Sequence, residues 1–242
     1  MKKTLCCLMP VLFLAVILAA SGGEFWEKKD YREWSQKECT KLLERSPWSD
    51  QFTLTGVTVM DRRSDSSSSD GQQPYIKYQV QFRSALPVRQ AIVRQSQIEQ
   101  KYESLAPEKR QELDKRFEAF MNAYPADAVV VFVTYSTNDR KRDLDLARLW
   151  QSKTTDLLKN SVYLIPSKGN RVPLAQFAAA PGAERAITFV FPREVDGKPI
   201  VELKDKSIKL EFAYPVVEYM GDGRAFLEFK VEKMIVNGKV EY

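Results

Sequence analysis

Everything after Ser161 alternates short β-rich runs with turn residues, and that rhythm leaves few folds open. The runs are "SVYLIP", "VPLAQF", "AITFVF", "IVEL", "IKLEF", "FLEFKVEKMIV" and "KVEY", and their joints are "SKGN", "PGAE", "DGKP", "KDKS", "GDG" and "NG". Most are too short for a helix and rich in β-branched or aromatic residues, so they read as strands. Asn237-Gly238 is the strongest local signal, because both central residues of a type I′ turn need positive φ. It predicts a tight hairpin closing "KVEY" onto the sheet. Short strands at this spacing point to a sandwich.

Upstream, "FTLTGVTVM" (52–60) and "YIKYQVQF" (75–82) keep a period of two and predict antiparallel strands joined by the serine-rich loop. "AVVVFVTY" (128–135) is a continuous apolar run, as expected of a strand covered on both faces. Helical periodicity fills the intervals. Val88, Ala91, Ile92, Gln95, Ile98, Tyr102 and Leu105 form one stripe; Leu113, Phe117, Phe120, Met121 and Tyr124 form another, with Pro107 suited to a first turn. This hairpin is expected to cover the second face of the 128–135 strand. A further helix over 140–159 shows Leu146, Trp150 and Leu157 on one stripe and ends at Asn160, a residue suited to a left-handed cap.

The fold class that results is α+β. An immunoglobulin-like antiparallel β-sandwich spans 51–242, with an N-terminal amphipathic helix over 24–48, a helical hairpin inserted at 87–124 and a helix at 140–159. Asp30 and Glu33 have capping-box spacing and predict the start of the first helix. Winding residues 31–45 at about 100° per residue puts Tyr31, Trp34, Cys39, Leu42 and Leu43 on one half of the cylinder. Trp26, Tyr31, Trp34 and Trp48 are the candidate surface, a ligand platform or a packing clasp. The shared apolar face favours the clasp, with Trp48 turning the chain after Pro47.

The composition contains no histidine. A Ser-His-Asp triad, a Cys-His pair, an HExxH zinc helix and a histidine-ligated haem all need an imidazole, as proton carrier or metal ligand. The ten glycines lie in scattered turns and build no phosphate-binding loop. No cofactor and no metal site is expected. A carboxylate pair, a Ser-Lys dyad or an oxygen-ligated divalent cation stays open, without a local signature. Asp139, Asp143 and Asp145 in "DRKRDLDLAR" alternate with basic residues and read as a solvated face. Asp65 and Asp70 in "SDSSSSDGQQ" lack the spacing of a calcium loop and read as a polar linker.

Lys2 and Lys3, an apolar run from Leu5 to Ala20 and the small residues "AASGG" make the three-part layout of a secretory signal over 1–22. The apolar run falls short of the roughly 20 residues of a spanning helix, and Pro10 interrupts it, so cleavage is expected rather than an anchor. An uncleaved signal would be the one membrane contact. Cys6 and Cys7 sit at the front of the run, where they cannot serve as a lipoprotein cysteine. Without the signal, Cys39 is the one cysteine left, and no internal disulfide can form. Losing Lys2 and Lys3 takes Lys+Arg from 37 to 35 against 32 acidic residues, so the formal charge falls from +5 to +3. The clusters "DRR" and "DRKRD" carry acids beside them, so nucleic acid is not expected as a partner.

"FWEKKDYREWSQKECTKLLERSPW", "FRSALPVRQAIVR" and "VYLIPSKGNRVPLAQF" followed by "FVFPREVDGKPI" resemble a group of uncharacterised secreted bacterial proteins of acidobacterial type. The resemblance implies export and one continuous domain, and it carries over no functional residue. The expected function is an exported, non-catalytic envelope or extracellular binding or structural protein, with a protein or glycan partner. The alternative is a secreted carboxylate-dependent hydrolase acting on glycans.

Overall fold

The computed structural model describes residues 24–56, 73–182, 184–217 and 220–242. The expected signal segment over 1–22 and nearly all of the serine loop, Asp65 and Asp70 included, lie outside the described residues. In chain order the strands are β1 (Ser49–Thr55), β2 (Tyr75–Phe82), β3 (Ala128–Thr137), β4 (Val162–Pro166), β5 (Val172–Pro173), β6 (Gln176–Ala179) and β7 (Ala186–Pro192). They continue as β8 (Glu194–Val195), β9 (Lys198–Pro199), β10 (Ser207–Ala213), β11 (Arg224–Lys230), β12 (Ile235–Val236) and β13 (Lys239–Val240). The helices are α1 (Phe25–Lys28), α2 (Gln36–Glu44), α3 (Leu86–Glu99), α4 (Pro107–Met121), α5 (Arg140–Gln151) and α6 (Thr155–Leu158). The fold is α+β with antiparallel sheets.

One sheet has five strands in the order β1-β2-β3-β7-β6; a second has four in the order β11-β10-β4-β5. Strand alternation decides which face is apolar. Ile76, Tyr78, Val80 and Phe82 of β2 are fully buried, while Tyr75, Lys77, Gln79 and Gln81 point the other way. Val129, Val131 and Val133 of β3 extend the same face. Phe212 of β10 meets it across the core, its ring centroid 5.9 Å from Phe52, 5.8 Å from Tyr78 and 5.5 Å from Phe189. Phe82 and Phe229 make a further edge-on contact between the sheets at 4.8 Å.

Helix α5 drives Trp150 into that core, against Phe177, Phe189 and Phe212. The expected helix over 140–159 is broken. Thr154 adopts extended geometry and its side chain accepts from Leu157 N, starting α6 afresh. The break changes which residue turns inward: Leu158 is buried and Leu157 is 64% exposed. Asn160 is not left-handed either: among the described residues, the non-glycines with positive φ are Lys101, Asp196 and Asn237.

The expected N-terminal helix over 24–48 is also three pieces. Asp30 caps only a 3-10 turn over Tyr31–Glu33, and the chain is extended at Trp34. The capping box belongs to Ser35 and Glu38, one turn later, and opens α2. At the other end of α2, the Gln81 amide donates to Leu43 O at 2.8 Å and the Gln79 amide to Glu44 O at 3.0 Å. These β2 side chains satisfy carbonyls that the helix leaves unpaired.

The helical hairpin forms, but it does not lie on β3. Helix α3 packs mainly on α2, and α5 is the helix with the closest association with β3. On the outer face of β3, the Arg83 guanidinium stands 3.2 Å from the Phe132 ring centroid and covers it. Three further expectations change. "VPLAQF" splits at Leu174-Ala175, so β5 joins one sheet and β6 the other. "IVEL" buries Ile200 and Val201 without forming a strand. Asn237 and Gly238 have φ of 49° and 75°, as a type I′ turn requires, yet β13 pairs with β12 alone and not with either large sheet.

Candidate functional site

The four aromatics of the N-terminal segment are brought together, and three of them are covered. Trp26, Trp34 and Trp48 are buried, while Tyr31 is partly exposed. Phe25 lies edge-on to Trp26 at 4.9 Å and to Trp34 at 5.3 Å, and Trp26 meets Trp48 at 5.5 Å. Edge-on rings packed among Cys39, Leu42 and Leu43 offer no flat face for a ligand. Cys39 is itself fully buried, and burial pushes its thiol up to about 11. A thiol so protonated is a poor nucleophile.

Asp143, expected on a solvated face, is buried. It accepts from Thr137 N at 2.9 Å and pairs with Arg185 at 2.9 Å, which joins the start of α5 to β3 and to the strand entry at β7. Asp139 caps α5 through Lys141 N and Arg142 N, and Asp145 pairs with Arg148. None of the three is an unpaired acid.

The charged group that alternation could not explain is Glu211. On β10, Ile208, Leu210 and Phe212 face the core, which leaves Lys209 and Glu211 on the outer face of the four-stranded sheet. Lys209 is exposed, but Glu211 is 1% exposed. Arg224, from β11, donates to its Oε1 at 2.5 Å, and Arg171, from the β4–β5 loop, brings Nη2 to 3.0 Å from Oε2. The Arg171 guanidinium also lies 5.1 Å from the centroid of Tyr163, the β4 residue opposite Glu211. A carboxylate stripped of water is tolerated only with such pairing.

Arg171 therefore stands where the outer face meets a cavity of about 440 Å³. Pro166, Pro173, Pro199 and Ile200 supply apolar walls, and Lys168, Arg171 and Lys198 bring positive charge to its rim. Its two acids are engaged. Asp205 accepts from Glu202 N at 2.7 Å and from Ser167 Oγ at 3.3 Å, and Glu202 is paired with Lys204. The side chains of Lys168 and Lys198 have no hydrogen bond or ion pair among the described residues. The cavity can hold an anion by charge and an apolar ring or chain by its walls.

A second groove, of about 560 Å³, runs between Tyr31, α3 and α4, and Asp114 and Glu118 lie along it one helical turn apart. Tyr102 donates its hydroxyl to Asp114 Oδ1 at 2.7 Å, and Tyr31 contributes the partly exposed ring of the N-terminal aromatic set. No group of acidic or cysteine side chains among the described residues has the arrangement of a metal site, and no described helix is long and apolar enough to cross a membrane.

Sequence reasoning passed over the Glu211 centre, because "IKLEF" reads as an ordinary alternating strand and its arginines come from other segments. "SKGNR" was legible as a turn, though not as the donor of Lys168 and Arg171 to one site. Comparison of the chain with protein-family models, with curated proteins and with solved structures finds no match in any of the three.

Proposed function

We propose that this is an exported, non-catalytic binding protein whose two sheets form an immunoglobulin-like sandwich, and that its ligand is an acidic glycan of the envelope or the surrounding medium. The observation that carries the reading is the pair of unpartnered lysines, Lys168 and Lys198, beside an apolar-walled cavity in which both acids are already engaged. Uronate carboxylates or sulfates would meet the lysines and Arg171, while sugar C–H faces would lie on the proline and isoleucine walls. The test is binding of polygalacturonate against neutral dextran, followed by calorimetry. Polygalacturonate should bind, dextran should not, and Lys168→Glu with Lys198→Glu should abolish binding at an unchanged melting temperature. Equal binding of both polymers would sink the reading.

A carboxylate-dependent glycan hydrolase is the second reading, supported by Asp114 and Glu118 beside two tyrosines. Residues four apart on a helix put carboxylates at a spacing within the range such enzymes use. Release of reducing sugar that disappears in Asp114→Asn and in Glu118→Gln would favour it over the first.

A further inference from the structure

Among the described residues, strand β11 lies at the edge of the four-stranded sheet and pairs with β10 alone. Its bonding parity follows from two flanking contacts, Val231 N to Lys206 O and Tyr214 N to Gly223 O. Residues 225, 227 and 229 therefore exchange hydrogen bonds with β10, and Arg224, Phe226, Glu228 and Lys230 aim their N–H and C=O groups outward. The side chains of those same four residues stand on the outer face. Phe226 is 65% exposed, the most exposed large apolar side chain described. A seven-residue edge with a bare phenylalanine in its outward-bonding row invites another strand.

We propose that the occupant is β11 of a second copy of this chain, paired antiparallel about a two-fold axis at Phe226. The sequence of the outer row is self-complementary about that residue. Asp222, Arg224, Phe226, Glu228 and Lys230 run acid, base, ring, acid, base. In the two-fold register Phe226 faces Phe226 of the second copy, Arg224 faces Glu228, and Asp222 faces Lys230, each twice by symmetry. Shifting one strand by two residues, which moves the axis to Leu227, would set Phe226 against Glu228 and Arg224 against Lys230, a pair of like charges. Parity also agrees, since an outward-bonding Phe226 opposite itself makes a hydrogen-bonded pair. On the core side the same register sets Ala225 against Leu227, both apolar and buried within each copy. Arg224 and Glu228 retain 41% and 54% side-chain exposure beyond their internal contacts, so each has donors or acceptors left for a partner. The side chains of Asp222 and Lys230 have no internal ion pair or hydrogen bond among the described residues. The result is one sheet of eight strands continuous across the dimer.

Sedimentation velocity of the purified protein over a concentration series tests this independently of any glycan. A monomer–dimer equilibrium is expected. Phe226→Asp, which changes an exposed side chain, should weaken it at least about tenfold, and Asp222→Lys should weaken it about tenfold through two like-charge pairs. Asp222→Lys with Lys230→Asp exchanges the charges and should restore the wild-type dissociation constant. Circular dichroism melts confirm that each variant is folded. A wild-type protein that sediments as a monomer at every concentration overturns the proposal, as does a dimer indifferent to Phe226→Asp. Failure of the exchanged pair to recover overturns the register.

Discussion

Trp48 Nε1 donates a 2.7 Å hydrogen bond to the main-chain carbonyl of Glu241, so a side chain at the start of β1 holds the penultimate residue of the chain. Glu241 N in turn donates to Met234 O, and the Arg193 guanidinium reaches the main-chain oxygen of Tyr242 while lying 4.5 Å from its ring centroid. The β12–β13 hairpin is fixed by these contacts and not by pairing with a large sheet. Trp48→Phe keeps a ring and leaves a carbonyl unpaired, which should cost about 1–3 kcal/mol in urea melts. Deleting residues 237–242 should cost more than Trp48→Phe, because buried Tyr242 is lost with the bond. A deletion no worse than the point variant would show that the chain end is held only by Trp48.

Trp34 is 1% exposed, although it lies outside any α-helix, and Arg94 Nε donates to its carbonyl at 3.0 Å. Trp34→Ala should therefore cost about 3–5 kcal/mol, the range for emptying a buried aromatic site. Acrylamide should quench tryptophan emission weakly in the folded wild type. Strong quenching together with an unchanged melting temperature in the variant would mean that the indole is a ligand platform after all.

How far the fold was legible depends on whether a feature is local. The alternation in "YIKYQVQF" named the buried face of β2, because period two alone decides it. Asn237-Gly238 named its turn by the φ each residue tolerates. What local pattern cannot express is which neighbour takes the hydrogen bonds. "VPLAQF" shows nothing at Leu174-Ala175 to say that the chain leaves one sheet for the other there. Two capping-box signatures lie one turn apart, Asp30/Glu33 and Ser35/Glu38, and only the second is followed by the Cys39, Leu42, Leu43 face that packs on α3. For the candidate site the limit was sharper. Glu211, Arg171 and Arg224 meet only after β4, β10 and β11 have paired, so no window of sequence contains them together.

The Ser35–Glu38 capping box has a pH signature. Glu38 accepts from Lys29 Nζ at 2.6 Å and from Ser35 N at 2.9 Å, and these bonds, the lysine first, hold its carboxyl down at about 2 from an ordinary 4.5. A depressed carboxylate stabilises the fold above its unfolded pKa and loses that contribution as pH falls through its folded pKa. The loss should therefore develop between about 4.5 and about 2. Carbon NMR of the Glu38 carboxyl should titrate near the lower value, and Glu38→Gln should flatten the fall in melting temperature over that window. Ser35→Ala should cost about 1 kcal/mol at neutral pH. A Glu38 midpoint near 4.5 would show that neither bond persists in solution.

The Glu211 centre makes the sharpest distinction between a structural ion pair and a binding site, because its two arginines are not equivalent. Arg224 makes the aligned hydrogen bond to Oε1, whereas Oε2 has no aligned hydrogen bond although Arg171 lies 3.0 Å away. Glu211→Gln removes the buried charge and leaves two guanidinium groups that are 41% and 55% exposed to solvent, so it should cost only about 1–3 kcal/mol for the lost hydrogen bonding. Arg224→Met should cost more, about 3–5 kcal/mol, since buried Glu211 then keeps its charge with only the misaligned partner. Arg171→Met should cost about 1 kcal/mol or less, because its side chain is 55% exposed and the better bond survives. It should nevertheless weaken polygalacturonate binding, since Arg171 stands on the cavity rim with Lys168 and Lys198. Urea melts and calorimetry on the three variants read the two effects separately. If Arg171→Met unfolds the protein as readily as Arg224→Met, the arginines form one structural clamp and the cavity loses its claim on Arg171.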